Sequence, residues 1–248
     1  MSSYNPKGNA RDRAFEAVSF VEAEPPERLR SVVHRFLELK TTDTLDRDYR
    51  FHALPDACTY IVLDQQTPNI AGVTRLKASS EELNLGRSFH FINIRFLPGV
   101  WQADRLPVGY GLIHTPYEGS LPLLQLNAKV SQTAFAECQV ILAELVDDLV
   151  ASETVRPNPV TEQIFKSLED IHSVADMAEA ASLSPRQLQR VLKATTGFTP
   201  HDFLKVLRLQ QSLKGEPSLS YADQSHFIHS FKKATGYTPT RYSQKFDV

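Results

Sequence analysis

Residues 172–197 read HSVADMAEAASLSPRQLQRVLKATTG, and two helix-start signals lie inside them. Ser173 with Asp176 is a capping-box pattern, and Val174, Met177, Ala178 and Ala181 form an apolar stripe behind it. Ser184 is a favoured N-cap, Pro185 suits the first helical position, and Gln187 completes a second capping box. Only Ser182, Leu183 and Ser184 separate the two helices. Two helices joined by so short a turn predict a helix-turn-helix.

The second helix sorts its side chains by face. At about 100° per residue, Leu188, Val191, Leu192 and Thr195 gather on one side. Arg186, Arg190 and Lys193 fall opposite, with Gln187 and Gln189 on the flanks. Arg can donate two hydrogen bonds to guanine, Gln can pair with adenine, and Lys and Arg neutralise phosphates. The face therefore reads as a recognition surface whose first turns enter the major groove. A solvated helix face would also carry charge. The short turn, the paired caps and the charge gradient of the chain weigh against that alternative. From Arg186 to the end, ten Lys+Arg stand against four Asp+Glu; the preceding residues hold 17 against 25, and the net charge is −2.

Ten residues recur. VLKATTGFTP (191–200) and SFKKATGYTP (230–239) agree at five positions and begin 39 residues apart. Each reads as the last turns of a helix, the Gly that ends it and the Thr-Pro that starts the next. Thr199-Pro200 starts a helix that turns Phe203, Val206, Leu207 and Leu213 inward and stops at Gly215. The second copy, SYADQSHFIHSFKKATGYTP (220–239), is capped by Asp223 and turns Phe227, Phe231 and Ala234 inward. It presents Ser225, His229 and Lys232 outward, with His226 and Lys233 beside them. These five join Arg186, Gln187, Gln189, Arg190 and Lys193 as candidate DNA-binding residues.

The pattern LSPRQLQRVLKATTGFTPHDFLKVLRLQQSL, followed by YADQSHFIHSFKKATGYTPTRY, resembles the AraC/XylS family of bacterial transcription regulators. The resemblance implies two helix-turn-helix modules joined by a central helix, with recognition helices in successive major grooves of promoter DNA. It also implies an N-terminal barrel, cupin-like in outline, that binds a small effector or mediates dimerisation, and RNA polymerase as a candidate further partner. In the family the second module has its own scaffold helix. Here KGEPSLS (214–220), between Leu213 and Tyr221, leaves no room for one. Either the second recognition helix packs differently, or it has become a stabilising element while the first module binds. The same shortening keeps open a second class of protein, an antagonist or adaptor derived from such a regulator that no longer binds DNA.

Upstream the texture changes. Residues 1–27 are polar, with a Pro25-Pro26 break, and RLRSVVHRFLELK (28–40) places Leu29, Val32, Val33, Phe36 and Leu37 at helical spacing. That spacing predicts an amphipathic helix. From Asp48 to about Leu126, CTYIVLD (58–64), IAGVTRL (70–76) and FHFINIRFL (89–97) alternate with Pro, Gly, Asn and Ser, the pattern of a small barrel or sandwich. Phe135, Cys138, Leu142, Leu145 and Leu149 repeat at coiled-coil spacing within a helix at about 130–152. That helix packs either on its own barrel or on a second copy of the chain, as a homodimer contact. ETVRPNPVTEQ (153–163), with two prolines, predicts a linker.

The expected fold is α+β. Residues 1–156 would form an effector-sensing and dimerising β-barrel or sandwich with flanking helices, and residues 157–248 an all-α helix-turn-helix domain. A content of 42% apolar and 23% charged residues fits a globular protein. No run approaches the roughly 18 apolar residues that cross a bilayer. MSSYNPKGNARDR lacks the apolar core of a secretory signal, so a cytoplasmic location is expected. Cys58 and Cys138 read as buried free thiols. Neither a metal nor a cofactor is expected, and no enzymatic activity. His52, His90 and His114 form no His-x-His, and His226 and His229 lack a nearby carboxylate or thiol cluster. Phosphate-loop, Gly-x-Ser-x-Gly and Cys-x-x-Cys motifs do not occur. Trp101 is either core or a pocket wall.

Overall fold

The computed structural model describes residues 4–74, 76–102, 116–214 and 224–247. Among them, two antiparallel sheets face each other. The five-stranded sheet is ordered Val18–Ala23 (β2), Val33–Thr41 (β3), His90–Phe96 (β8), Tyr60–Asp64 (β5) and Ala71–Val73 (β6). The four-stranded sheet is ordered Glu81–Gly86 (β7), Tyr49–Ala53 (β4), Asn9–Asp12 (β1) and Phe246–Asp247 (β9). Alternation along each strand decides which face a side chain serves. On β8, Phe91, Asn93 and Arg95 line a cavity between the sheets, while Ile92, Ile94 and Phe96 join a core on the far side. That far face is covered by Leu123–Val130 (α1) and Phe135–Ala151 (α2).

The helix expected over 28–40 is replaced by a 3-10 turn at Glu27–Leu29 and by β3. β3 is paired on both sides, with Leu37 opposite Glu22 on β2 and Asn93 on β8. It is also covered on both faces, Phe36 in the outer core and Leu37 and Leu39 on the cavity. A strand covered on both faces is apolar at neighbouring positions, so Val32-Val33 and Phe36-Leu37 imitate a helical stripe. The segments at 58–64, 70–76 and 89–97 do contain strands β5, β6 and β8. The polar N-terminal stretch contributes β1 and β2, and Tyr4 is buried.

On α2, Cys138, Leu142, Leu145 and Leu149 are buried in one core with Phe36, Ile61 and Ile92, and Phe135 packs against it. The coiled-coil spacing is thus spent inside the chain and is not free for a second copy. Trp101 is core, its ring edge-on to Phe96 at 5.4 Å. Cys58 and Cys138 are buried and free.

The stretch expected as a linker is stitched down. Val155 pairs with Trp101 in a β-bridge, and the Arg156 amide donates to the Val100 carbonyl at 3.0 Å. Asn158 Nδ2 donates to the Gly99 carbonyl at 3.0 Å, and Thr161 Oγ1 to the Pro98 carbonyl at 2.9 Å. Its second half is helix, with Asn158 as the cap and Pro159 in the first turn, and its Asn158 and Thr161 side chains are satisfied on the Pro98–Trp101 turn.

The helices that follow are Pro159–Lys166 (α3), Val174–Ala180 (α4), Pro185–Thr196 (α5), Pro200–Leu213 (α6), Gln224–Thr235 (α7) and Pro239–Lys245 (α8). They share cores with the sheets. Tyr4, Ala57 and Cys58 enter the core of α3, α4, α5 and α6, and the Tyr4 ring stacks on Phe165 at 4.4 Å. The C-terminal segment is not purely helical, because β9 pairs with β1 across Arg11 and Asp12. No helix among the described residues is long and apolar enough to cross a membrane.

Candidate nucleic-acid interface

Local chemistry builds the helix-turn-helix much as the sequence spells it. Ser173 Oγ accepts from the Asp176 amide at 3.2 Å, and Asp176 Oδ2 in turn accepts from the His172 amide at 2.8 Å. α4 ends in a turn where Ser182 takes a left-handed φ of 53° and its amide bonds to the Glu179 carbonyl. Ser184 then opens α5. Its Oγ accepts from the Gln187 amide at 3.3 Å, while Gln187 Oε1 accepts from the Ser184 amide at 2.9 Å. Both orphan donors at this helix start are satisfied reciprocally.

Packing fixes which side of α5 looks outward. Leu188 and Leu192 are fully buried in the core with Met177, Phe203 and Leu207. Arg186, Gln187, Gln189, Arg190 and Lys193 are all exposed. They are not equally free. Gln187 is held by its cap, and Lys193 Nζ donates to the Gly197 carbonyl at 3.0 Å, closing the end of its own helix. Arg186, Gln189 and Arg190 have no hydrogen bond or ion pair among the described residues. They lie three and four residues apart, on one strip of the helix.

The repeated ten residues are a helix-ending device. Thr196 Oγ1 donates to the Leu192 carbonyl at 2.7 Å and accepts from the Phe198 amide at 3.2 Å. Thr235 does the same with the Phe231 carbonyl at 2.8 Å and the Tyr237 amide at 3.2 Å. Gly197 and Gly236 follow at φ 73° and 81°, a region open to Gly at no steric cost.

Beyond that shared end the copies diverge. α7 exposes Ser225, His226, His229, Lys232 and Lys233 as the sequence suggests. Its inward residue Phe231 packs among Ala10, Leu54, Leu209, Tyr242 and Phe246, a core made largely with the four-stranded sheet. His52 on β4 bonds to the Thr235 carbonyl through Nε2 at 3.0 Å and to the Tyr242 hydroxyl through Nδ1 at 3.3 Å. The Ser80 amide donates to the Ala234 carbonyl at 2.7 Å, and the Tyr237 hydroxyl to Glu82 Oε1 at 2.9 Å. α7 thus packs on a sheet. α6 is the shared strut, with Phe203 to Leu207 in the first core and Leu209 in the second.

The expected cap Asp223 and helix stop Gly215 lie outside the described residues, as does His114. His52 is spent on the seam just described, and His90 Nε2 lies 3.0 Å from Glu38 Oε1. The sequence reading passed over two residues of the cavity, Asn93 and Arg95. The signal was present: in FINIRF (91–96) Asn93 and Arg95 stand two positions apart in an otherwise apolar strand, which places them on one face.

Residues 169–205 match the family profile described as bacterial regulatory helix-turn-helix proteins, AraC family. This segment, which holds α4 and α5, is an AraC-type helix-turn-helix. The HTH-type transcriptional regulator MtrA of Neisseria gonorrhoeae is 27% identical over 113 residues, covering 41% of this chain. The match spans 38% of the length of MtrA. The solved structure of ToxT from Vibrio cholerae is 8% identical, covers 93% of this chain and 98% of its own, and superposes with a TM-score of 0.43.

Proposed function

We propose that this chain, whose helix-turn-helix is of the AraC type, is a sequence-specific DNA-binding transcriptional regulator. The observation that carries the reading is the outward strip of α5. Arg186, Gln189 and Arg190 are exposed, unpaired and held on a doubly capped helix of AraC type. Those residue types hydrogen-bond guanine and adenine edges in the major groove. Ser225, His226, His229, Lys232 and Lys233 on α7 supply further contacts, chiefly to phosphates. Residues 1–156 then act as the sensing part and 157–248 as the DNA-binding part of a cytoplasmic protein. RNA polymerase is a candidate partner at the promoter. A homodimer through 130–152 would use the outer side of α2, where Val140 is 64% exposed.

The regulator is also read as ligand-responsive. Gly8 and Asn9 line the cavity, and the adjoining Lys7 exchanges two hydrogen bonds with Gln210 of α6, at 2.7 and 3.1 Å. A change in the cavity wall therefore has a short bonded route to the helix that braces both copies.

Genomic footprinting of the tagged protein tests the reading. Discrete protected sites sharing a sequence are the expected result, and their absence would refute it. The shortened spacer before α7 favours one rival, an antagonist that works through protein contact. On that reading, gel shifts with genomic fragments show only weak, sequence-independent retardation.

A further inference from the structure

The space between the sheets has a volume of about 490 Å³, within the ~300–1,000 Å³ typical of small-molecule pockets. Leu37, Leu39, Val62 and Phe91 wall it from one sheet, and Phe51 and Leu83 from the other. Two polar side chains of β8 interrupt this apolar lining. Arg95 is 1% exposed, and its Nε has no hydrogen-bond partner among the described residues. Asn93 Oδ1 is likewise buried without a partner. A buried donor and a buried acceptor left open on the same strand face are each costly, and they ask for a ligand that offers an acceptor and a donor.

Charge narrows the class further. Arg95 Nη2 already meets Glu22 Oε1 at 2.7 Å, so its positive charge is balanced. Asp56, bonded by the Tyr60 hydroxyl, lies close behind. Burial pushes its carboxyl up, while Arg95 and the Tyr60 bond draw it back. Among the described residues that line the cavity, Glu118 is the one carboxylate, and it is exposed. A carboxylate ligand would enter among like charges, and an ammonium would leave Arg95 Nε without an acceptor.

We propose that this cavity takes an uncharged amphipathic molecule, an apolar body with a hydroxyl or amide head that accepts from Arg95 Nε and donates to Asn93 Oδ1. The inference rests on the ligand-responsive reading and names its ligand class.

Titration calorimetry on the intact chain tests it, using decanamide, decanoate and decylammonium below their aggregation concentrations. Decanamide binds tightest, ahead of either ion by about tenfold or more, because each ion buries a charge the site does not match. Asn93→Leu weakens decanamide by about tenfold, the worth of one buried hydrogen bond, and leaves decanoate unchanged. Val62→Trp, which fills the cavity, abolishes binding of the amide. Decanoate or decylammonium binding as tightly as decanamide to the parent protein overturns the ligand class and leaves a ligand site standing. An unchanged decanamide affinity in Asn93→Leu overturns the assigned contact. If none of the three probes binds the folded parent protein, the ligand-responsive reading itself falls. The parent protein's ranking decides the class even where a variant fails to fold.

Discussion

The two copies of the helix-ending motif sit in different surroundings. The first is braced by helices: α5 lies on α3, α4 and α6, with Leu188 and Leu192 buried among their side chains. The second is braced by a sheet: α7 and α8 lie against β1, β4 and β9, with Phe231, Tyr242 and Phe246 buried among Ala10 and Leu54. One ten-residue pattern thus closes helices on two unlike foundations. What it specifies is the end of the helix, through Thr196 or Thr235 and the Gly that follows. The foundation is specified elsewhere, by residues distant in sequence. α7 rests on the four-stranded sheet and cannot be separated from it without exposing that core.

The largest expected effect breaks the second foundation. Phe231→Ala should cost about 3–5 kcal/mol in urea unfolding, the range for a large buried aromatic. Leu192→Ala should cost about 2–5 kcal/mol in the first core. A cost below about 1 kcal/mol for Phe231→Ala would mean that the sheet does not hold α7.

Acid should separate the copies. Burial lowers the His52 imidazole at the seam of the second copy, and on β3 of the other sheet burial, with Arg95 and Arg35 nearby, pushes His34 down to about 2. Each is therefore harder to protonate in the folded chain than in the unfolded one. Their contribution is complete above the ordinary value of 6.5 and is withdrawn as pH falls from there towards the folded-state value. His172 and His201, beside the first copy, are exposed. Lowering pH from neutrality into the acid range should therefore cost about 1.4 kcal/mol per pH unit for each fully shifted histidine. Hydrogen exchange should show β4, α7 and α8 losing protection before α4 and α5. Equal loss in both regions would count against the sheet seam as the acid-sensitive part.

A third contrast concerns contacts with DNA. Lys232→Ala with Lys233→Ala should weaken binding by a similar factor on all sequences and flatten the salt dependence by about 0.9 log units per charge. A change in sequence preference would make α7 a reader of bases. The smallest contrast lies in the caps. Thr199 accepts from the Asp202 amide at 3.2 Å, whereas Thr238 makes no side-chain cap. Thr199→Ala should cost about 1 kcal/mol in thermal unfolding, and Thr238→Ala much less.

What the sequence made legible follows the same division. Local chemistry could be read directly: the caps at Ser173, Ser184 and Thr199, the exposed face of α5, and the strands bounded by Pro, Gly and Asn. Pairing between distant segments could not. Residues 28–40 read as a helix because β3, flanked by β2 and β8, is covered and apolar on both faces. Residues 9–12 and 246–247 are too short to declare a strand; the first becomes one between β4 and β9, and the second against β1. The seam built on His52 escaped for the same reason, since its partners stand about 180 positions further along the chain.

Fluorescence anisotropy on a footprinted site addresses the outward strip of α5 most directly. With Arg186→Ala and Arg190→Ala combined, affinity should fall by about thirtyfold or more, each base contact being worth ~1–3 kcal/mol, and preference for the site over unrelated DNA should shrink. A double variant that binds the site as tightly and as selectively as the parent at moderate salt would contradict the account.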